Sequence, residues 1–188
     1  MSFRVLVIPE DPTYNGYILK PLIERVFLEC GKPNVRVHVP TNPKAGGYQE
    51  AKRLIPGYLE RYSHYDLLLF LPDADGKDRS GEFAPLEESA PRTRPQLICC
   101  AAVQEVETWL LAGHIEKLAL SWSEIRENTA VKEEIFLPFL ERYGDPRSVG
   151  GGREVLMRET LGNYPGLLAR CPEIRELQKR IKAHLEGL

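Results

Sequence analysis

The sequence predicts an α/β fold: a mostly parallel central sheet of about four strands flanked by helices, with a helical C-terminal extension. Three observations predict it. Short apolar runs alternate with stretches of helical spacing through residue 112, the pattern of a parallel sheet covered on both faces. Most of these runs are continuously apolar, as strands buried on both sides must be. From His114 onward no strand-like run recurs. The expected organisation is an α/β core over residues 1–113 and a helical extension over 114–188 packed on it as one compact unit.

The elements follow in order. Residues 4–8 (RVLVI) are short, apolar and β-branched, and read as a buried strand. Residues 14–30 read as a helix, because Ile18, Leu22 and Val26 repeat at helical spacing and Gly31 is a natural stop. Pro21 marks either a late start or a kink. Residues 35–39 alternate and form a second strand, closed by Pro40. A Pro/Gly loop precedes a helix over 48–62, weakened by Pro56 and Gly57. Residues 66–71 (DLLLFL) carry the strongest buried-strand signal. A loop over 72–81, a short helix near 82–89, a strand over 96–103 and a helix over 104–112 complete the core. In the extension, helices are expected near 123–143, 153–161 and 172–185, separated by Gly144-Asp145-Pro146 and by Gly150-Gly151-Gly152.

Composition narrows the function classes. The chain has 188 residues, 43% hydrophobic and 28% charged, with a formal net charge of −2. That charge gives no overall attraction to nucleic acid, so any such surface must be a local basic patch. The four cysteines (Cys30, Cys99, Cys100 and Cys171) form no CxxC pair, and the four histidines are scattered. Free thiols in a reducing compartment are expected, and a structural zinc site is disfavoured. The apolar run near the N-terminus is too short for a signal peptide or a membrane span. A cytoplasmic protein without membrane attachment is the expectation.

Ligands of open α/β sheets collect outside the carboxyl ends of the strands, and acids fall there repeatedly. Glu10 follows the first strand, Asp73 and Asp75 follow the third, and Glu105 and Glu107 open the helix after the fourth. Each alone has a structural reading: a loop, an Asx turn, and first-turn acids on a helix dipole. Gathered at one edge, unpaired carboxylates repel and raise one another's pKa. A hard divalent cation, Mg²⁺ or Mn²⁺, removes that penalty through oxygen ligands. An EF-hand loop starting at Asp73 fails on spacing, because Lys77, Asp78 and Ala84 occupy the positions that need a ligand, Gly and Glu.

Phosphate or nucleic-acid contacts have their own candidates. Gly150-Gly151-Gly152 followed by Arg153 reads either as an anion-binding nest with a bidentate arginine or as a hinge. Lys77 and Arg79 lie in the loop beside the aspartates. Arg142, Arg147, Arg153 and Arg158 read as a nucleic-acid channel or as a solvated face. No Walker A spacing is present, which disfavours direct nucleotide hydrolysis. Trp109 reads as core packing rather than a stacking platform.

Glu after the first strand and Asp-x-Asp after the third resemble the TOPRIM domain of topoisomerases, primases and OLD-family nucleases. Glu107-Thr-Trp109-Leu-Leu111 is similar to a segment of stand-alone TOPRIM-like proteins linked to bacterial defence against phage. The phrases ILKPLIERV, LPDADGKD, VETWLLAG and GGGREVLM together look most like the DUF4276 family of that group. The resemblance implies a Mg²⁺- or Mn²⁺-dependent nuclease acting on nucleic acid, with an ATPase subunit as partner. The family's glutamate falls on Glu10, its metal-binding aspartates on Asp73 and Asp75, and its helix acid on Glu107, with Glu105 in competition. One departure is Asp11, where a Gly usually follows the glutamate. Two other readings stand beside this one. A haloacid-dehalogenase-like phosphatase is suggested by DxDG after a strand, although Lys77 replaces the usual Thr. The other is a non-catalytic subunit that binds a nucleotide or partner.

Overall fold

A computed structural model describes residues 2–91 and 95–188. Four strands, β1 (Phe3–Ile8), β2 (Val35–His38), β3 (Leu67–Phe70) and β4 (Gln96–Cys99), form one sheet in the order β2-β1-β3-β4. All three pairings are parallel, and Val5 is flanked by Val37 on one side and Leu67 on the other. The chain therefore builds outward from β1 in one direction, returns, and builds in the other. The gap between the ends of β1 and β3 is the topological switch point of the sheet, where open α/β folds carry their ligands.

The strands are buried on both faces, and their side chains sort by alternation. Val5, Val7, Leu67 and Leu69 join α1 (Gly16–Glu29) and α4 (Glu107–Leu111) in the larger apolar cluster. Leu6, Ile8, Leu68, Phe70, Leu97 and Cys99 face the other way, onto α2 (Tyr48–Arg61), with Phe83 and Leu86 of α3 (Ser80–Ser89) beside them. Cys99 and Cys100 accordingly point to opposite clusters, and all four cysteines are free thiols. Pro21 and Pro56 lie inside α1 and α2 without ending them.

The remaining helices are α5 (Trp122–Glu127), α6 (Leu137–Tyr143), α7 (Arg153–Leu161), α8 (Tyr164–Arg170) and α9 (Pro172–Glu186). They contribute Phe139, Met157, Leu177 and Ile181 to the larger cluster, so they share its core with α1 and α4. Two sequence expectations change here. The single helix over 123–143 is divided: α5 stops at Glu127, and a π-helical turn over Lys132–Phe136 feeds α6. The break follows Asn128, whose side chain accepts from the Ala130 amide, a local bond that competes with the helical ladder. Helix α8 has no counterpart in the sequence reading; it starts with Asn163 capping the Gly166 amide and Pro165 in its first turn. Among the described residues no helix is long and apolar enough to cross a membrane.

Candidate functional site

Three sheet-edge connections meet at the switch point. Past β1 the chain runs through Pro9 to Glu10. Past β3, pairing continues briefly: the Leu71 amide donates to Ile8 O at 3.0 Å, and Asp73 bridges to Ala102 beyond β4. The turn that follows is pinned by that same extension. The Asp75 and Gly76 amides donate to Gln104 O and Val103 O, both at 3.0 Å. Asp75 and Gly76 both take left-handed conformations, with φ of 50° and 68°; Asp and Gly are among the residue types that tolerate this region.

Backbone amides then lock three carboxylates. Glu10 Oε2 accepts from the Asp73 amide at 2.9 Å. Asp73 Oδ1 accepts from the Val106 amide, at the entry to α4, at 2.8 Å. Glu105 Oε2 accepts from the Lys132 amide, at the start of the π-helical turn, at 2.7 Å. Glu107 is different. It is 1% exposed, and neither carboxylate oxygen has a hydrogen-bond partner in another described residue. Its nearest cation is Lys132, Nζ to Oε1 3.8 Å.

The electrostatics follow from this burial. Asp73 is pushed up to about 8, first by desolvation and then by the charges of Glu107 and Glu10. Glu105 is raised to about 7, mainly by desolvation, with the Lys132 amide opposing. Desolvation also raises Glu10 and Glu107; Lys132 and Arg153 pull Glu107 back toward ionisation. These are the signatures of acids crowded in a poorly solvated place, and such perturbations concentrate at functional sites.

The sequence-predicted residues divide into a centre, a rim and a surface. Glu10, Asp73, Glu105 and Glu107 come together, coupled to one another through burial and charge. Asp75 stands at the rim, its side chain 55% exposed and 3.6 Å from Arg79. Arg79 is not a free phosphate ligand: it is buried between Asp75 and Glu82, with its guanidinium 3.8 Å from the Tyr48 ring centroid. Lys77 is exposed beside it. Arg153 is buried, donates to Gly150 O at 3.0 Å, and lies over the rings of Tyr14 and Phe136. Gly151 and Gly152, both at positive φ, form the tight turn into α7. Arg147 and Arg158 are solvated, the latter paired with Glu154. Trp109 is fully buried and donates to Glu173 Oε1 at 2.9 Å, the packing role expected of it.

Lys132 is the residue that sequence reasoning missed. It precedes Glu133 and Glu134 in what reads as an ordinary charged helix face. Asp11, singled out in the sequence only as a departure from the usual Gly, also acts on Glu107 through its charge. Only the approach of the π-helical turn to α4 brings Lys132 to the acids.

The donor set is all oxygen, which suits a hard divalent cation such as Mg²⁺ or Mn²⁺ rather than zinc. The unpartnered Glu107 carboxylate fits such a group. As placed, no set of three or more His, Cys, Asp or Glu side chains among the described residues is assembled to hold a metal ion. Comparison of the chain with family models, with curated proteins and with solved structures gives no match.

Proposed function

We propose that the chain is a metal-dependent phosphodiesterase, a nuclease of TOPRIM type, with its centre at Glu10, Asp73 and Glu107. One observation carries this reading: carboxylates from three sheet-edge connections meet at the β1/β3 switch point, and the most buried of them, Glu107, has no hydrogen-bond partner in another described residue. Crowding four acids with only Lys132 and Arg153 to offset Glu107 costs stability, and structure alone gives no return for it.

A divalent cation bound there supplies Lewis-acid polarisation of a phosphoryl oxygen and a more acidic water. Asp73, Glu107 and Glu105 are the residues to hold it, each with carboxylate oxygen not committed to a backbone amide. Asp75 joins them once it leaves Arg79. Glu10, raised by burial and by the charge of Asp75, takes the proton from the attacking water as general base. Lys132 offsets the charge of the phosphodiester, and Lys132 and Arg153 together offset that of Glu107. The substrate is DNA or RNA, and by resemblance an ATPase subunit is the natural partner.

The test is cleavage of labelled DNA and RNA with Mg²⁺, Mn²⁺ or EDTA. Wild type should cleave only with the divalent ion, and Asp73→Asn should lose at least about a hundredfold in rate. Equal rates for the two proteins would sink the assignment. A second reading, a non-catalytic subunit that binds a nucleotide or partner, is favoured by the lack of a preassembled three-ligand cage among the described residues. It predicts cation binding without cleavage by either protein.

A further inference from the structure

Helices α1 and α7 lie side by side and run in the same direction. Tyr17, at the start of α1, rests on the glycine turn that opens α7: a Cβ at Gly150 would meet Tyr17 Cγ at 2.5 Å. At the far end Arg25 Nη1 donates to Leu161 O at 3.2 Å. The inner sides of the pair enter the larger apolar cluster through Ile18, Leu22, Leu156 and Met157. The outer side is unusually apolar for a surface. Of the eight large apolar side chains that stand exposed among the described residues, four belong to this pair and its turn: Tyr17, Leu28, Val149 and Val155. Apolar side chains gathered on one face, rather than scattered singly, mark contact surfaces.

Two grooves follow the pair, with β2 in the wall of each. One, of about 650 Å³, is bordered by Tyr17, Lys20, Val149 and Glu154, with His38 behind. The other, of about 570 Å³, is bordered by Glu24, Leu28 and Arg158, with Arg25 held by Glu29 at 2.7 Å. The charges are balanced in each groove and reverse along each helix. On α1 a cation, Lys20, is followed one turn on by an acid, Glu24. On α7 the order is opposite: Glu154 is followed by Arg158, and these two pair at 3.0 Å. Lys20 and Glu24 form no ion pair with another described residue. None of Glu10, Asp73, Glu105 and Glu107 borders either groove.

We propose that this face is a two-fold interface between two copies of the chain, with α1 packed antiparallel on α1 of the second copy and α7 antiparallel on its α7. An isologous interface needs a surface that complements itself when reversed. A two-fold axis lying in the face and crossing both helices at the level of Leu22 and Leu156 does this. It sets Lys20 against Glu24 of the other copy and Glu154 against Arg158, each contact made twice. One axis serves both helices, because Lys20 and Glu154 share one groove and Glu24 and Arg158 share the other. The same reversal brings Leu28 of each copy to the groove beside Tyr17 of its mate. Charge rows of a single sign would instead repel their own copy. The inference is independent of the phosphodiesterase reading.

The experiment is sedimentation velocity of the full chain over about 1–200 µM, a range that brackets a micromolar Kd. Wild type should pass from 21.4 kDa toward twice that mass as concentration rises. Glu24→Lys sets cation against cation across the axis, and Lys20→Glu sets acid against acid; each should weaken dimerisation at least about tenfold. Mixed in equal amounts, these two variants complement each other and should form a heterodimer about as tight as the wild-type dimer. The exchange Lys20→Glu/Glu24→Lys keeps opposite signs facing and should dimerise as wild type does. Circular dichroism checks that each variant is folded, and Leu28→Asp, at an exposed position, supplies the disruption if a charge reversal is not. A wild type that stays monomeric at the highest concentration overturns the proposal. So does a dimer that neither reversal nor Leu28→Asp weakens, since it uses another face, and so does failure of the two folded reversal variants to associate on mixing.

Discussion

The buried acids of the candidate site and the cations that act on Glu107 come from different halves of the chain. Residues before 114 supply Glu10, Asp73, Glu105 and Glu107, placed by strand ends and by the entry to α4. Residues after 114 supply Lys132 and Arg153, placed by a π-helical turn and a triple-glycine turn. The acids are set by the ends of a regular sheet, and the cations by a π-helical turn and a turn of glycines at positive φ. The difference teaches that the C-terminal helices are not an appendage. Buried with no cation nearby, Glu107 would remain neutral; Lys132 and Arg153 draw it toward the ionised form that a metal site needs.

The comparison can be broken most forcefully at the seam. Trp109 of α4 is fully buried and bonded to Glu173 of α9, which also pairs with Arg126, Nη2 to Oε2 3.0 Å. Trp109→Ala should cost about 3–5 kcal/mol in urea unfolding, because it leaves a cavity and removes that donor. A loss below about 1 kcal/mol would mean that the two halves are not joined here.

The next effect is one of pH. Asp73 has a folded pKa of about 8 against an ordinary 3.8, and Glu105 about 7 against 4.5. The folded state therefore holds more protons than the unfolded one between those values. Stability of the metal-free protein should be greatest near pH 4 and fall as pH rises toward 8, at about 1.4 kcal/mol per pH unit for each proton released. Melting curves in EDTA would show this slope, and Asp73→Asn should flatten it. Mn²⁺ at pH 8 should raise the melting temperature of wild type and not of the variant. A pH-independent melt would separate the acids from one another.

Lys132→Met sharpens the comparison further. Removing the cation 3.8 Å from Glu107 should cost about 1–2 kcal/mol at pH 8, less than for a fully buried pair because Lys132 is part-exposed. The cost should be smaller at pH 5 than at pH 8, because burial raises the pKa of Glu107 and its protonation is further advanced at the lower pH. Equal losses at both pH values would mean that Lys132 packs rather than pairs. The smallest effect belongs to the solvated face. Arg158, paired with Glu154 one helical turn away, should give no more than about 0.5 kcal/mol on replacement by Ala, measured by urea unfolding.

Much of the architecture was legible because burial on two faces writes itself into composition. The run over 67–70 (LLLF) has no room for a polar residue. The acids were legible for a related reason: Glu10 and Asp73 interrupt or follow such runs at the carboxyl ends, where a parallel sheet opens. The helix expected over 123–143 misled, because its apolar spacing continues through the break that Asn128 introduces. The triple glycine left a nest and a hinge equally open in the sequence. The turn and its positive φ values are there, but Arg153 stacks on Tyr14 and Phe136 with its guanidinium turned inward.

By itself the sequence determined the class of fold, the parallel strands and the acids at their ends. Hydrophobic period and strand polarity are local properties that a chain cannot conceal. Only the tertiary structure decided the strand order, and with it that Glu10 and Asp73 face each other across the switch point. It also decided that Asp75 turns to Arg79, that Lys132 arrives beside Glu107, and that Tyr14 stands exposed over a buried arginine. Each of these depends on contacts between segments far apart in the chain, where desolvation and distance, not residue type, set what a side chain can do.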